Sequence, residues 1–143
     1  MSRPPPTTRS EYRWFNTVTL RWADNDMFGH ANNVVYYSWI DTAVNIFLIE
    51  NGILEIGSSE IVGVVAETGL RYLREIAYPG RIDVGIRVDR LGTSSVRYLA
   101  AVFREGEDVA SAEGHFVHVY VQRSGMKPTP IPAAQRAAFE TIM

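Results

Sequence analysis

The chain has 143 residues, of which 46% are hydrophobic and 21% charged, and its formal net charge is −2 at pH 7. This composition predicts one soluble globular domain with its own core, and it lacks the clustered lysine and arginine of a nucleic-acid-binding protein. Because the sequence contains no cysteine, it excludes a disulfide framework, a thiolate nucleophile and a cysteine-based zinc site.

The two ends of the chain differ in composition from its middle. Residues 1–13 contain three consecutive prolines, which predicts a disordered, proline-rich tail. Residues 14–132 are predicted to form the domain, and residues 133–143 a short helix or tail after the prolines of segment 127–132. The start lacks the hydrophobic stretch of a signal peptide, and no apolar run is long enough to span a membrane. We therefore expect a cytoplasmic protein that does not interact with membranes.

A predicted strand and a long predicted helix come first along the chain. Residues 16–22 alternate apolar and polar side chains, as a half-buried strand does. The helix lies within VVYYSWIDTAVNIFLIENG (34–52), where four polar residues follow the spacing i, i+3, i+4, i+7: Ser38, Asp41, Thr42 and Asn45. They form one narrow polar stripe, so most of the helix circumference is expected to be buried. Gly52 occupies the position of a C-terminal cap.

The rest of the chain reads as strands. They are predicted at 61–76, with a bend near Gly69, and at 82–88, 94–104 and 109–122, joined largely as a meander. One antiparallel sheet of about five strands must then cover the helix, because no other segment can bury it, which predicts an α+β fold. The uncovered sheet face and edges favour a homodimer or homotetramer.

The segment DNDMFGHANN (Asp24–Asn33) lies between the first strand and the helix. It concentrates two carboxylates, a glycine, a histidine and two asparagines immediately before the most apolar part of the chain. Asn32 and Asn33 are good helix caps, although neither is followed three residues later by Glu or Gln, so this is not a capping box. The pattern is compatible with a capped turn or with an active site.

The segment RWADNDMFGHANNVVYYSWIDTA (21–43) resembles a motif of the hotdog-fold acyl-CoA thioesterases of the 4-hydroxybenzoyl-CoA thioesterase type. That motif is a strand, then D-x-D-x-x-G-H-x-N-N, then a tyrosine-rich helix. The segment VVAETGLRYLREIAYPGRIDV (64–84) is similar to the second and third strands of the same family. The resemblance implies the hotdog fold, one sheet wrapped around a long helix, which the periodicity of the chain predicts independently.

The chemistry of the family explains such a motif. Thioester hydrolysis needs a carboxylate or another base near the carbonyl carbon, and donors for the oxyanion that forms there. A carboxylate beside a helix N-terminus supplies both, since the first helical N–H groups lack intrahelical partners. By resemblance, the acidic catalyst is Asp26, the oxyanion donor is the backbone amide of Asn33, and His30 helps to orient the carboxylate or the water. Gly29 gives the turn room for the thioester to approach.

Other side chains are candidates with an alternative structural interpretation. Asn32 either contacts the substrate or caps the helix, and Tyr36 either contacts the substrate or belongs to the core. Glu67 lies on a strand where some relatives place a second acidic group facing the site, although a solvated or ion-paired glutamate is the commoner reason for such a residue. Asp24 is expected to be structural, either capping the turn or pairing with Arg21.

The remaining titratable residues predict no metal site. His115 and His118 are three residues apart in a predicted strand, so they point to opposite faces and cannot share a metal. The chain offers several candidate contacts for the phosphates of coenzyme A, namely Arg71, Arg74, Arg90 and Arg97.

The resemblance implies an enzyme that hydrolyses a thioester of coenzyme A or of acyl carrier protein to a free acid and a thiol. No cofactor is expected, because coenzyme A is part of the substrate. Asp26 acts either as a general base on water or as a nucleophile that forms a mixed anhydride. The alternatives are a non-catalytic acyl-thioester-binding module and a hotdog hydratase or dehydratase, although the sequence lacks a hydratase-type motif.

Overall fold

A computed structural model describes residues 4–143. Its elements, in chain order, are β1 (Trp14–Thr19), α1 (Asn33–Glu50), β2 (Ile61–Tyr72), β3 (Arg81–Leu91), β4 (Ser95–Arg104), β5 (Ala112–Gln122) and α2 (Ala133–Glu140). The five strands form one antiparallel sheet in the order β1-β3-β4-β5-β2. One face of this sheet packs on α1, which is the α+β arrangement predicted from the sequence.

The core forms where α1 meets the sheet. The alternation of β3 places four of its side chains in this core, each at most 1% exposed: Ile82, Val84, Ile86 and Val88. The opposite side of α1 is the predicted polar stripe, and its residues Ser38, Asp41 and Thr42 are exposed. Gly52 ends the helix, because its positive φ of 69° lets its amide donate to the carbonyl of Ile49 at 3.1 Å. The predicted helix and its polar stripe are confirmed, but the prediction that most of the helix circumference is buried is wrong for this chain by itself, because only seven of the 18 residues of α1 are buried.

The predicted near-meander is wrong at β2. After β2 the chain crosses to β3, while β2 pairs with β5 at the far edge of the sheet. The strand also ends at Tyr72, so residues 73–76, predicted as its continuation, belong to the crossing segment 73–80. This segment must cross three strand spacings of about 4.8 Å each. It is long enough to do so, because each extended residue spans about 3.3 Å.

Residues 7–13 pack on the sheet instead of forming a free tail. The hydroxyl and the amide of Thr7 donate to the carboxylate of Glu113 at 2.6 and 2.9 Å, and Tyr12 is only 7% exposed. This corrects the prediction of a disordered tail, of which residues 1–3 lie outside the described residues. Prolines exclude a segment from the interior of helices and strands, but they leave its neighbours free to bond to side chains of the sheet.

The segment after β5 covers one end of the core. Within α2, Phe139 is fully buried and stacks on Phe47 with ring centroids 6.4 Å apart. Among residues 4–143, no helix is both long enough and apolar enough to cross a membrane.

His118 is buried in the core beside Tyr98. Its ring is 2% exposed, and its Nδ1 has no hydrogen-bond partner among the described residues. Burial lowers the pKa of His118 from 6.5 to about 4, because the charged form would lose its hydration. His115 lies on the other face of the sheet, where its Nε2 is 3.1 Å from the carboxylate of Glu67. The two histidines therefore point to opposite faces, as predicted.

We expect the stability of the protein to fall between pH 6.5 and 4, in part because of His118. The folded-state pKa of this group lies below its unfolded value of 6.5. Its contribution is therefore fully present above pH 6.5 and is lost as the pH falls towards 4, by about 3 kcal/mol in total. Urea unfolding across this range measures the slope. His118→Leu should remove this part of the slope and His115→Leu should keep it, whereas an unchanged slope in His118→Leu would contradict the assignment.

Candidate active site

Asp24 fixes the turn that leads from β1 to α1. Its side chain is 1% exposed, and its carboxylate accepts the amide of Arg21 at 2.7 Å and the guanidinium of Arg21 at 2.8 and 3.0 Å. Its own carbonyl accepts the amide of Asn32 at 2.9 Å. Both carboxylate oxygens are therefore engaged by Arg21, and the structural role predicted for Asp24 is confirmed.

Asp26 lies in a tight turn and keeps part of its carboxylate free. The turn closes through the amide of Gly29, which donates to the carbonyl of Asp26 at 3.1 Å and needs the positive φ of 89° that glycine adopts easily. One carboxylate oxygen accepts the amide of Phe28 at 2.9 Å, and the other accepts the side-chain amide of Asn32 at 3.4 Å. Because the second contact is long, that oxygen remains available for another partner.

The first turn of α1 leaves one backbone donor unused. Four of the five amides in the run Ala31–Val35 have protein acceptors: Ala31 donates to Ile76 at 2.6 Å, Asn32 to Asp24 at 2.9 Å, and Val34 and Val35 to Asn32 at 3.0 Å each. Among the described residues, the Asn33 amide has no hydrogen-bond acceptor. As the first residue of α1, Asn33 also lies at the positive end of the helix dipole.

These groups open into one pocket of about 380 Å³. Its walls are the turn at Asp26, the first turn of α1 and the segment that follows β2. It brings together four of the predicted site residues, Asp26, His30, Asn33 and Tyr36, with Tyr72, Arg74 and Glu75. Residues that carry a carboxylate, a free backbone amide and an imidazole thus line one opening.

Three of the predicted contacts do not line this pocket. Gly29 and Asn32 shape the turn and the cap behind it. Glu67 contacts His115 on the opposite face of the sheet, so the prediction that it faces the site is wrong for this pocket. The cause is a bulge at Ala66, which adds one residue to β2 between the pairs formed by Val65 and Glu67 and moves the later side chains to the other face.

His30 and Tyr36 have contrasting surroundings in the pocket. The Nε2 of His30 is 3.7 Å from the carboxylate of Glu75, and the imidazole is about one-third exposed. Tyr36 is 3% exposed, and burial raises its pKa to about 12, so its hydroxyl stays protonated. Sequence reasoning missed Glu75 and Tyr72 as pocket residues, because local patterns do not show that the end of β2 meets the first turn of α1.

The predicted phosphate contacts are mostly elsewhere. Of the four arginines, Arg74 lines the pocket. Arg71 pairs with the buried Glu113, and the Arg97 guanidinium is 2.6 Å from Asp89. Among residues 4–143, no cluster of three histidine, aspartate or glutamate side chains is arranged to hold a metal.

Comparisons with known proteins show the family of the chain and several similar proteins. The sequence profile of the Thioesterase-like superfamily matches residues 20–139. The crystal structure of the PA5185 protein from Pseudomonas aeruginosa PAO1 is similar over 97% of each chain, with 45% identity and a TM-score of 0.94. The Bacillus subtilis protein YsmA is 27% identical over 89 residues, which are 62% of this chain and 59% of its own length.

A structure with lower sequence identity shares the same fold. BH1999, a gentisyl-coenzyme A thioesterase, has a TM-score of 0.78 over 88% of this chain and 99% of its own, at 22% identity. At that identity the likeness shows the fold alone, a hotdog fold with one sheet around α1. The matched range 20–139 contains the turn at Asp26, all of α1 and four of the five strands. The chain belongs to the thioesterase-like superfamily.

Proposed function

We propose that this protein hydrolyses an acyl thioester of coenzyme A, or of acyl carrier protein, to a free acid and a thiol. The observation that carries the proposal is the position of Asp26 in the same pocket as the free amide of Asn33. Membership of the thioesterase-like superfamily supports thioester hydrolysis in general. The acyl-CoA substrate is our extension of this general activity. It is supported by BH1999, a protein of the same fold whose name specifies a coenzyme A thioester.

In the proposed mechanism, the thioester carbonyl oxygen accepts a hydrogen bond from the Asn33 amide. As the carbonyl carbon becomes tetrahedral, negative charge develops on this oxygen and is stabilised by the amide and the helix dipole. Asp26 either takes a proton from the attacking water or attacks the carbon itself, giving a mixed anhydride that water then hydrolyses. The thiolate leaves in both routes. The scheme needs no cofactor, because coenzyme A belongs to the substrate.

We assign His30 a supporting role. His30 lines the same pocket as Asp26, and its Nε2 is 3.7 Å from the carboxylate of Glu75. A donor or acceptor in this pocket can orient the attacking water or the carboxylate. Tyr36 is the most deeply buried of the predicted site residues that line the pocket.

Removing the charge of Asp26 is the first test. Asp26→Asn keeps the shape of the side chain but removes the base, so kcat for thiol release should fall roughly 10²–10⁴-fold. The measurement is a thiol-release assay on acetyl-, octanoyl-, benzoyl- and gentisyl-CoA. Asp41→Asn, on the exposed stripe of α1, is the matched control and should retain activity. The proposal fails if the wild type releases no thiol from any of these substrates or from octanoyl-acyl carrier protein, or if Asp26→Asn hydrolyses them at the same rate.

A second test removes only the proposed oxyanion donor. Proline is favoured at the first position of a helix, and Asn32 before it already has an extended conformation, with φ −62° and ψ 140°. Asn33→Pro should therefore fold while lacking the N–H group, and kcat should fall about 10²–10³-fold. Asn33→Ala retains the amide and should stay within a few-fold of the wild type. Equal activity of the Pro and Ala variants would show that the amide is not the donor.

We also propose that the protein works as a homodimer or homotetramer. β2 is an edge strand, and residues beside the pocket expose large apolar side chains: Met27 is 92%, Phe28 76% and Val34 68% exposed. A long free strand edge beside exposed apolar surface favours self-association, and a second copy would close the open side of the pocket.

Sedimentation velocity tests the assembly at micromolar concentrations. A lysine on the edge strand should oppose pairing, so Val65→Lys, at a position 52% exposed, should shift the protein towards the monomer and reduce its activity. Ile56→Lys, at an 81% exposed loop position, should change neither. A wild-type protein that is monomeric and fully active would contradict the proposal.

A further inference from the structure

We propose that Tyr72 is a positioning residue for the oxyanion donor, an inference that rests on the proposed hydrolysis. Tyr72 is the last residue of β2, and its hydroxyl donates to the carbonyl oxygen of Asn33 at 2.9 Å. This bond joins the end of the edge strand to the first residue of α1. It therefore determines where the free amide of Asn33 lies in the pocket.

The peptide groups around the amide show how the position is transmitted. The peptide group between Asn33 and Val34 is held at both ends. Its carbonyl accepts from Tyr72, and its N–H donates to the side chain of Asn32 at 3.0 Å. The peptide group between Asn32 and Asn33 contains the free N–H. It is held through its carbonyl, that of Asn32, which accepts the amide of Val35 at 3.0 Å. With these groups fixed, the Asn33 N–H has one direction, which is the preorganisation that oxyanion stabilisation requires.

The Tyr72 bond is not needed to satisfy the Asn33 carbonyl. Inside an α-helix this carbonyl is an acceptor for the amide four residues later, so a second donor adds alignment and supplies no missing partner. We therefore expect loss of the Tyr72 hydroxyl to affect the geometry of the site more than the stability of the fold.

The ring of Tyr72 is itself held in place. It packs edge-to-face on the buried Tyr36, with ring centroids 5.0 Å apart and an interplanar angle of 88°. Burial, followed by the neighbouring Tyr37, raises the pKa of Tyr72, so the phenol stays protonated and remains a donor at neutral pH. Tyr72→Phe should keep this packing and remove only the hydroxyl.

The test separates positioning from a general structural role. Tyr72→Phe should lower kcat about 10-fold with KM within about twofold, since the bond aligns a transition-state donor and leaves substrate binding intact. In the Asn33→Pro background there is no donor left to align, so the same substitution should change kcat by less than about twofold. Tyr78→Phe, in the exposed pair that Tyr78 forms with Trp22, is the control and should match the wild type in both backgrounds.

The possible results discriminate between the two proposals. If the wild type releases no thiol, or Asp26→Asn is fully active, the proposed function fails and the role of Tyr72 fails with it. If Asp26→Asn is inactive while Tyr72→Phe retains the wild-type kcat, only the positioning role is overturned. An equal fall of kcat from Tyr72→Phe in both backgrounds also overturns it, because the effect would then be independent of the donor. Thermal unfolding of each variant confirms that the comparison is made between folded proteins.

Discussion

The side chain of Asn32 connects the two halves of the site. Its carbonyl oxygen caps α1 by accepting the amide of Val34 at 3.0 Å, while its amide lies 3.4 Å from a carboxylate oxygen of Asp26. A helix cap stabilises a protein by about 1 kcal/mol. Here the cap also decides which backbone amide stays without an acceptor. Because Asn32 satisfies Val34, the amide of Asn33 alone is left free in the run Ala31–Val35, and the same side chain also contacts Asp26.

The apolar character of α1 explains why this polar chemistry lies at its N-terminus. Trp39, Val44 and Phe47 are at most 5% exposed against the sheet, and each buried side chain of this kind contributes about 1.5–3 kcal/mol. The helix therefore cannot shift without losing core contacts, and its sheet-facing side has no room for a polar ligand. The N-terminus is the place where a rigid, buried helix still presents backbone donors to solvent.

Local patterns were enough to predict the elements that depend on periodicity. The stripe of Ser38, Asp41, Thr42 and Asn45 located α1, and the alternation of β3 identified its core side chains, because both periods follow from geometry within a single element. The turn at Asp26 was recognised from its composition and its resemblance to a family motif. Four of the residues predicted for the site, Asp26, His30, Asn33 and Tyr36, do line one pocket.

What the patterns could not predict depends on contacts between distant segments. β2 pairs with β5, and the alternation of apolar and polar residues along a strand does not show which strand will pair with it. One extra residue at Ala66 moves Glu67 to the opposite face, and no local signal marks a bulge at an alanine. Tyr72 enters the site only because the end of β2 meets the start of α1, and the packing of residues 7–13 requires a buried Glu113 on a strand about a hundred residues later.

The central claim is that the Asn33 amide and Asp26 act on the same carbonyl group. A crystal structure with an acyl-CoA analogue in which a methylene group separates the sulfur from the carbonyl tests this directly, since the analogue cannot be hydrolysed. We predict that its carbonyl oxygen lies about 3 Å from the Asn33 nitrogen, and that its carbonyl carbon lies either within about 3.5 Å of an Asp26 oxygen or one water molecule away from it, as the nucleophilic and the general-base routes respectively require. An analogue bound with its carbonyl away from both groups would contradict the account. One alternative place is a second pocket, lined by Arg97 and His115 on the opposite face of the sheet.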